Sequence, residues 1–414
     1  MSQPANVTTH PSADGQVRLV DMTGEPAPAW DELACRSARG EALQSVAWGE
    51  VKGASGWIAR RYRIEDETGP VAVVSIQERD LVAPIVRRTP ASIRGPVQGI
   101  AGSLGRFLYA PLGPVLLRDD PASASAALRG LRIIARHRHA ALLVIDPCWD
   151  VLGTQAGALR TAGFVPARRP VQVSTTGMFV ALHADEETQW RQLNQNARRN
   201  VDKCRKAGVE VVRFDQGSDA PSLARALDAS YRMLLETGVR RGFGDVLRPA
   251  GYHNPAQQRL IEAGHASLWV ASHEGRELAH TLVHHSGDRA VLFEAGEADI
   301  DDDPSGPDAA RDPDAPAPPR IAANFLLQWT IIRWAAEQGF TTYDMSGVDN
   351  HEAPGLPADE SHPLWSLFRF KSQWGAQGVQ FVGAWEYAPW PLLGWGLRAA
   401  WSASDRLRER RGRS

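Results

Sequence analysis

Lysine is almost missing from this chain. Of 46 Lys and Arg residues only four are lysine, Lys52, Lys203, Lys206 and Lys371, so nearly every cation is an arginine. Against 48 Asp and Glu the net charge is −2, which excludes a polycation that coats nucleic acid along its whole length. Cysteine is equally sparse: Cys35, Cys148 and Cys204 are odd in number and far apart, which excludes a disulfide scaffold or a cysteine-based zinc site as an organising principle. No apolar run is long enough to span a bilayer, and the opening MSQPANVTTHPSADGQ has neither the basic nor the apolar stretch of a signal peptide. Also absent are a GxxxxGK(S/T) phosphate loop, an HExxH pair, a GxSxG elbow and a convincing Gly-rich pyrophosphate turn of the kind CoA-dependent N-acyltransferases use. ATP hydrolysis, zinc proteolysis and α/β-hydrolase chemistry are left without support. What is there, 414 residues of which 43% are hydrophobic, suits a cytoplasmic α/β protein of two or more domains.

Residues 1–18 are polar and expected to be a flexible tail. Beyond them, apolar runs of strand length alternate with helical patterns. Val71–Ile76 and Ala141–Ile145 are rich in β-branched residues and read as buried strands, with a helix over Ala122–His139 leading into the second. A second series follows: a long charged helix over Glu186–Ala207 stopped by Gly208, a strand over Val209–Phe214 and a helix over Ser222–Gly238. Then come a hairpin, Ser267–Ser272 and Leu278–His285, a strand over Ala290–Ala295, a helix over Phe325–Gln338 and a strand over Thr342–Met345. The expected class is α/β, in two successive segments: 19–180, completed by about 378–395, and 181–377. Residues 299–320 hold Asp301, Asp302, Asp303, Asp308, Asp312 and Asp314 among six prolines, a composition that cannot bury a core and reads as a disordered insert. His280 and His284 share a strand face, but no carboxylate partner is evident, and no metal is expected.

Several stretches remain. They are Leu43-Gln44-Ser45 with Trp48, Lys52 and Gly56-Trp57; Tyr109-Ala110-Pro111-Leu112-Gly113-Pro114; and Ile145-Asp146-Pro147. The basic run from Asn194 through Arg198, Arg199, Lys203, Arg205 and Lys206 follows, then Glu236 to Phe243 with Arg240 and Arg241. The last are Leu326 to Trp334, Tyr343-Asp344-Met345-Ser346-Gly347, and Phe368-Arg369-Phe370-Lys371 ahead of Trp374-Gly375. In this order, from about Gln44 to Gly383, the series resembles the FemABX family of non-ribosomal peptidyltransferases.

That resemblance implies two GNAT-like acyltransferase domains with mixed sheets. No heptad pair for the family's coiled-coil arm is present. It also implies transfer of an amino acid from aminoacyl-tRNA to the stem peptide of a UDP-linked or lipid-linked muropeptide, by a monomer that needs no cofactor. By the family pattern, Lys371 contacts substrate phosphate and stabilises the charge that builds during transfer. Phe370 precedes it, and Lys52, Arg240 and Arg241 hold the acceptor in a cleft between the domains. Asp146 is a candidate acid/base for the attacking amine, or a turn cap before Pro147. Arg198, Arg199, Lys203, Arg205 and Lys206 make either a tRNA contact or a solvated helix face. Residues 385–414 crowd Trp385, Trp390, Trp395 and Trp401 with arginines. They read either as a helix packed on the first domain or as a peripheral contact at the cytoplasmic face of a membrane. Two rival readings stay open: a related acyltransferase using a CoA thioester on another small molecule or polysaccharide, and a non-catalytic membrane-surface protein.

Overall fold

The computed structural model describes residues 7–10, 17–81, 105–168, 171–172, 174–298, 321–350, 352–394 and 398. The acidic Pro-rich insert expected at 299–320 lies outside them, as do Trp395 and Trp401. Two compact units divide the chain, 1–175 with 380–414, and 176–379.

The first unit carries a sheet in the order β1 (Val7–His10), β2 (Val17–Asp21), β3 (Ile58–Asp66), β4 (Gly69–Asp80), β5 (Arg106–Ala110), β7 (Ala140–Ile145), β16 (Trp385–Tyr387) and β8 (Val165–Pro166), with β6 (Val115–Leu116) paired to β4. The tail expected over 1–18 needs correcting, because β1 pairs antiparallel with β2 from Val7↔Val20 to His10↔Val17. Its helices are α1 (Ala27–Ala34), α2 (Val46–Gly53), α3 (Pro121–His137) and α4 (Ala156–Thr161). Asp120 starts α3 by accepting a hydrogen bond from the Ser123 amide (2.8 Å), with Pro121 at the first helical position. The stripe Ala124, Leu128, Leu131 and Ala135 then packs on Ile64, Val74, Ile76 and Leu108 of the sheet. Among the described pairings of this sheet one is parallel, β5 with β7, where Ala110 faces Ile145.

The second unit orders its strands β10 (Glu210–Phe214), β11 (Ala266–His273), β12 (Arg276–Ser286), β13 (Arg289–Glu297), β14 (Thr342–Asp344), β9 (Thr176–Ala181) and β15 (Gln377–Gln380). Its helices are α5 (Glu186–Gln192), α6 (Gln195–Ala207), α7 (Ala220–Arg241), α8 (Ala250–Glu262), α9 (Ala323–Glu337) and α10 (Trp365–Ser372). The single helix expected over 186–207 is in fact two. Leu193 is extended (ψ 139°), and Asn194 caps a new start by accepting from the Ala197 amide at 2.8 Å. Gly208 ends α6 at φ 79°, as its position suggests. The apolar stripe Ala197, Val201 and Cys204 of α6 meets Leu327, Ile331 and Ala335 of α9 over strand residues Ala271, Val283 and Tyr343. Here too one described pair is parallel, β13 with β14, and β13 runs on past Asp344, which pairs with Val291. Both units are mixed α/β.

Candidate active site

In the first unit, Asp146 directly follows β7, so the parallel register brings it beside the end of β5. Its Oδ2 accepts a hydrogen bond from the Tyr109 hydroxyl (2.7 Å) and its Oδ1 from the Leu112 amide (2.6 Å). Gln172 Nε2 donates in turn to the Tyr109 oxygen (3.2 Å). The carboxylate is 4% exposed. Burial raises its pKa to about 7, although the bonds from Tyr109, Leu112 and Gln172 favour the charged form. Asp146 lines a cavity of about 40 Å³ with Cys148, Gln172, Ser174 and Thr175, which has room for water but not for a sugar. The turn ahead of it is tied down by Gln44, whose Nε2 donates to the Pro111 carbonyl (2.5 Å) while its Oε1 accepts from the Ser75 amide (2.6 Å). A side chain at Gly113 would strike Gln44 Nε2, 2.8 Å from the position of a Cβ, so the turn requires glycine there. Lys52 ends α2 with its ammonium over the rings of Trp57 (5.1 Å) and Trp48 (5.7 Å).

In the second unit, polar groups collect at the carboxyl ends of β13 and β14. Asp344 Oδ1 accepts from the Ser346 amide (2.8 Å), and Ser346 takes a left-handed conformation, φ 66°. The carbonyls of Ser346 and Gly347 then accept from Lys371 Nζ at 3.1 and 2.6 Å. Lys371 lies in the last turn of α10 and is 5% exposed. Burial pushes its pKa down to about 8, and Asp344 and Asp349 pull the other way. Asp349 is itself held by the Thr176 hydroxyl (2.7 Å) and amide (3.1 Å). Phe370 packs against the rings of Phe325 and Trp374. At the end of β13, Arg240 Nη2 donates to the Glu297 carbonyl (2.8 Å), and both Arg240 and Arg241 are exposed.

Thus Lys371 and Arg240 reach the same end of one parallel pair, and Lys52 and Asp146 belong to the other unit. Sequence patterning missed Tyr109 and Gln172 as partners of Asp146. It also missed His253 of α8, whose Nε2 lies 2.8 and 2.9 Å from the Glu294 carboxylate; burial opposes the imidazolium, yet Glu294 raises its pKa overall. The Tyr109-to-Pro114 run was visible as a stiff turn, but nothing local says which acid it meets. His280 and His284 are core residues, and burial lowers each to about 3.

On α6, Arg199, Lys203, Arg205 and Lys206 are exposed and Arg198 is half-buried. Arg205 lies 5.5 Å from the Trp190 ring centroid. In the last segment, Trp385 is a buried sheet residue of β16, not an interfacial one, and Glu386 beside it pairs with Arg398 (2.6 Å). Trp390 is half-exposed.

The profile described as Acetyltransferase (GNAT) domain matches residues 191–353. A Staphylococcus aureus (strain MRSA252) protein named Lipid II:glycine glycyltransferase is 22% identical over 434 residues, covering 86% of this chain and 90% of that protein. A second S. aureus protein of the same name is 22% identical over 425 residues, covering 84% and 88%. The crystal structure of FemX superposes with a TM-score of 0.65 at 18% identity, over 89% of this chain and 97% of that one. These likenesses bear out the resemblance to the FemABX family. Together they support an amide-forming transferase with a GNAT-like arrangement in each of its two units.

Proposed function

We propose that this FemABX-like protein transfers an amino acid from aminoacyl-tRNA to the stem-peptide amine of a lipid-linked peptidoglycan precursor. The amine nitrogen forms a bond to the ester carbonyl and the carbon–oxygen bond to the tRNA ribose breaks. The amine's proton leaves, and the ribose oxygen takes one up. The observation that carries this reading is Asp146, a buried carboxylate at a strand end whose pKa of about 7 suits it to accept that proton near neutral pH. Lys371 fixes the Ser346–Gly347 turn and supplies a preorganised positive charge for the tetrahedral oxyanion, and Arg240 and Lys52 bind acceptor phosphates. The acceptor class is taken from the name of the S. aureus relatives, Lipid II:glycine glycyltransferase.

The donor would dock on α6, where Arg199, Lys203 and Lys206 are spaced to share one exposed face. Peripheral contact with the membrane would use the segment after β16, where Trp390 and Leu392 are 44% and 86% exposed. Co-sedimentation with anionic vesicles tests this contact with a chain cut after Ala388, which spares the sheet strand Trp385–Tyr387. The deciding experiment for the reaction offers lipid II and total charged tRNA, with CoA thioesters as rival donors, and reads the stem peptide by mass. An aminoacyl increment that requires tRNA is expected. Transfer from a CoA thioester alone, or vesicle binding with no transfer from any donor, would overturn the reading.

A further inference from the structure

The second unit contains a larger cavity that the proposed reaction does not use. Helix α9 starts next to the end of β13, where Asn324 bonds Glu297, and finishes just ahead of β14. Its last turn therefore lies at the opposite end of the parallel pair from Lys371 and Arg240. There Trp334, Gln338 and Phe340 join Arg213, Gln216 and Ser267 around about 260 Å³, near the lower edge of the roughly 300–1,000 Å³ typical of ligand pockets.

We infer that this cavity is a nucleobase pocket. The Arg213 guanidinium lies 5.3 Å from the Trp334 ring centroid and 5.7 Å from that of Trp269, and it is ion-paired to Asp215. Trp334 is in turn wedged by Trp269 (5.2 Å), His285 (5.3 Å) and Phe340 (5.7 Å). A guanidinium held against indoles in this way is a rigid platform on which a flat heterocycle stacks.

The floor beneath is polar but neutral and already satisfied. Trp269 Nε1 donates to Ser267 Oγ (3.0 Å), that hydroxyl donates to His285 Nε2 (3.1 Å), and His285 Nδ1 donates to the Gly264 carbonyl (3.0 Å), the tautomer being assigned from this chain of bonds. With the floor neutral and Arg213 matched by Asp215, the cavity has no surplus charge to hold a phosphate or a bare cation. What it offers is stacking and unspent hydrogen bonds. The buried Nε1 of Trp334 has no hydrogen-bond partner among the described residues, and the exposed carboxamides of Gln216 and Gln338 line the cavity. A carboxamide presents donor and acceptor side by side, which matches the edge of a base. Gln216 Oε1 sits 2.7 Å from where a Cβ of Gly264 would be, so glycine (φ 78°) leaves that amide its place.

The base could belong to a free nucleotide or to an unpaired nucleotide of RNA; the second source rests on the tRNA-donor reading, and the cationic helix α6 one short turn ahead of β10 favours it.

Calorimetric titration of the full chain with AMP, CMP, GMP and UMP, and with a short unstructured oligoribonucleotide, tests the inference without any transfer step, so its failure is distinct from failure of the transferase reading. At least one mononucleotide should bind, and Arg213→Ala should weaken it about tenfold. Gln338→Ala, at an exposed helix end, should change the ranking of the four bases. Tighter binding of the oligonucleotide than of any mononucleotide, lost in Arg213→Ala, identifies RNA as the source; equal affinity identifies a free nucleotide. No binding of either probe at millimolar concentration, or parental affinity and ranking in both variants, would overturn it.

Discussion

The two units put opposite charges at the same place. Each sheet has one described parallel pair, β5–β7 and β13–β14, and each has an aspartate where the later strand stops, Asp146 and Asp344. In the first unit the aspartate is itself the buried centre, surrounded by donors: a tyrosine hydroxyl and a backbone amide. In the second, Asp344 turns the chain so that two carbonyls surround a buried lysine. Burial drives both charged groups toward neutrality, the acid up to about 7 and the ammonium down to about 8. They differ in compensation. Lys371 has two carboxylates nearby that oppose the shift, whereas the groups that favour charge on Asp146 are hydrogen-bond donors. One architecture thus poises an acid and a base near physiological pH by burying each of them, with complementary neighbours holding the shift in check.

The sharpest way to break this comparison is Lys371→Met, which keeps the buried stem and removes the ammonium. Transfer, measured as kcat/KM, should fall about 10²–10³-fold. Two carbonyls lose their donor, so the thermal midpoint should also drop, by an amount corresponding to about 1–3 kcal/mol. Undiminished transfer would leave the lysine a structural peg. Because the folded pKa is lowered, the unfolded lysine binds more protons between about pH 8 and 10.5, and parental stability should rise across that window. Denaturation curves of Lys371→Met should lack that rise.

Asp146→Asn comes next, with an expected loss of about 10²-fold in kcat. The basic-side plateau above the limb near pH 7 should vanish with it. Here the sign of the stability effect reverses: the folded carboxyl holds its proton to a higher pH than the unfolded one, so parental stability should fall as pH rises from about 4 to 7. The asparagine chain should show a flatter dependence, readable by urea titration at a series of pH values.

Arg240→Ala should raise KM for the acceptor about tenfold, and Arg241→Ala should change it little, because Arg240 is the one bonded to the Glu297 carbonyl at the end of β13. Equal effects from the two would mean that charge, not placement, matters there. The smallest expected effect is that of Tyr109→Phe. Its hydroxyl bond favours the charged carboxylate, so its loss should move the pH limb upward by less than about a unit. A downward move would reverse the account of the Asp146 network.

Local chemistry alone determined much of this protein. β-Branched runs such as Val71–Ile76, the Pro121 start of α3 and the Gly208 stop of α6 are decided by side-chain shape and backbone freedom within a few residues, so they are readable from the chain. The strand-end position of Asp146 and the rarity of lysine are readable in the same way. The break at Leu193–Asn194 is also local, but the charged helical pattern on either side masks the capping asparagine. Only the tertiary structure decided which groups meet. Tyr109 reaches Asp146 across 37 residues because β5 and β7 pair in parallel, and Lys371 reaches Ser346 and Gly347 across 25 and 24. The same holds for protonation: a pKa follows burial and the partners that long-range packing supplies, and neither is a property of the residues beside it in the chain.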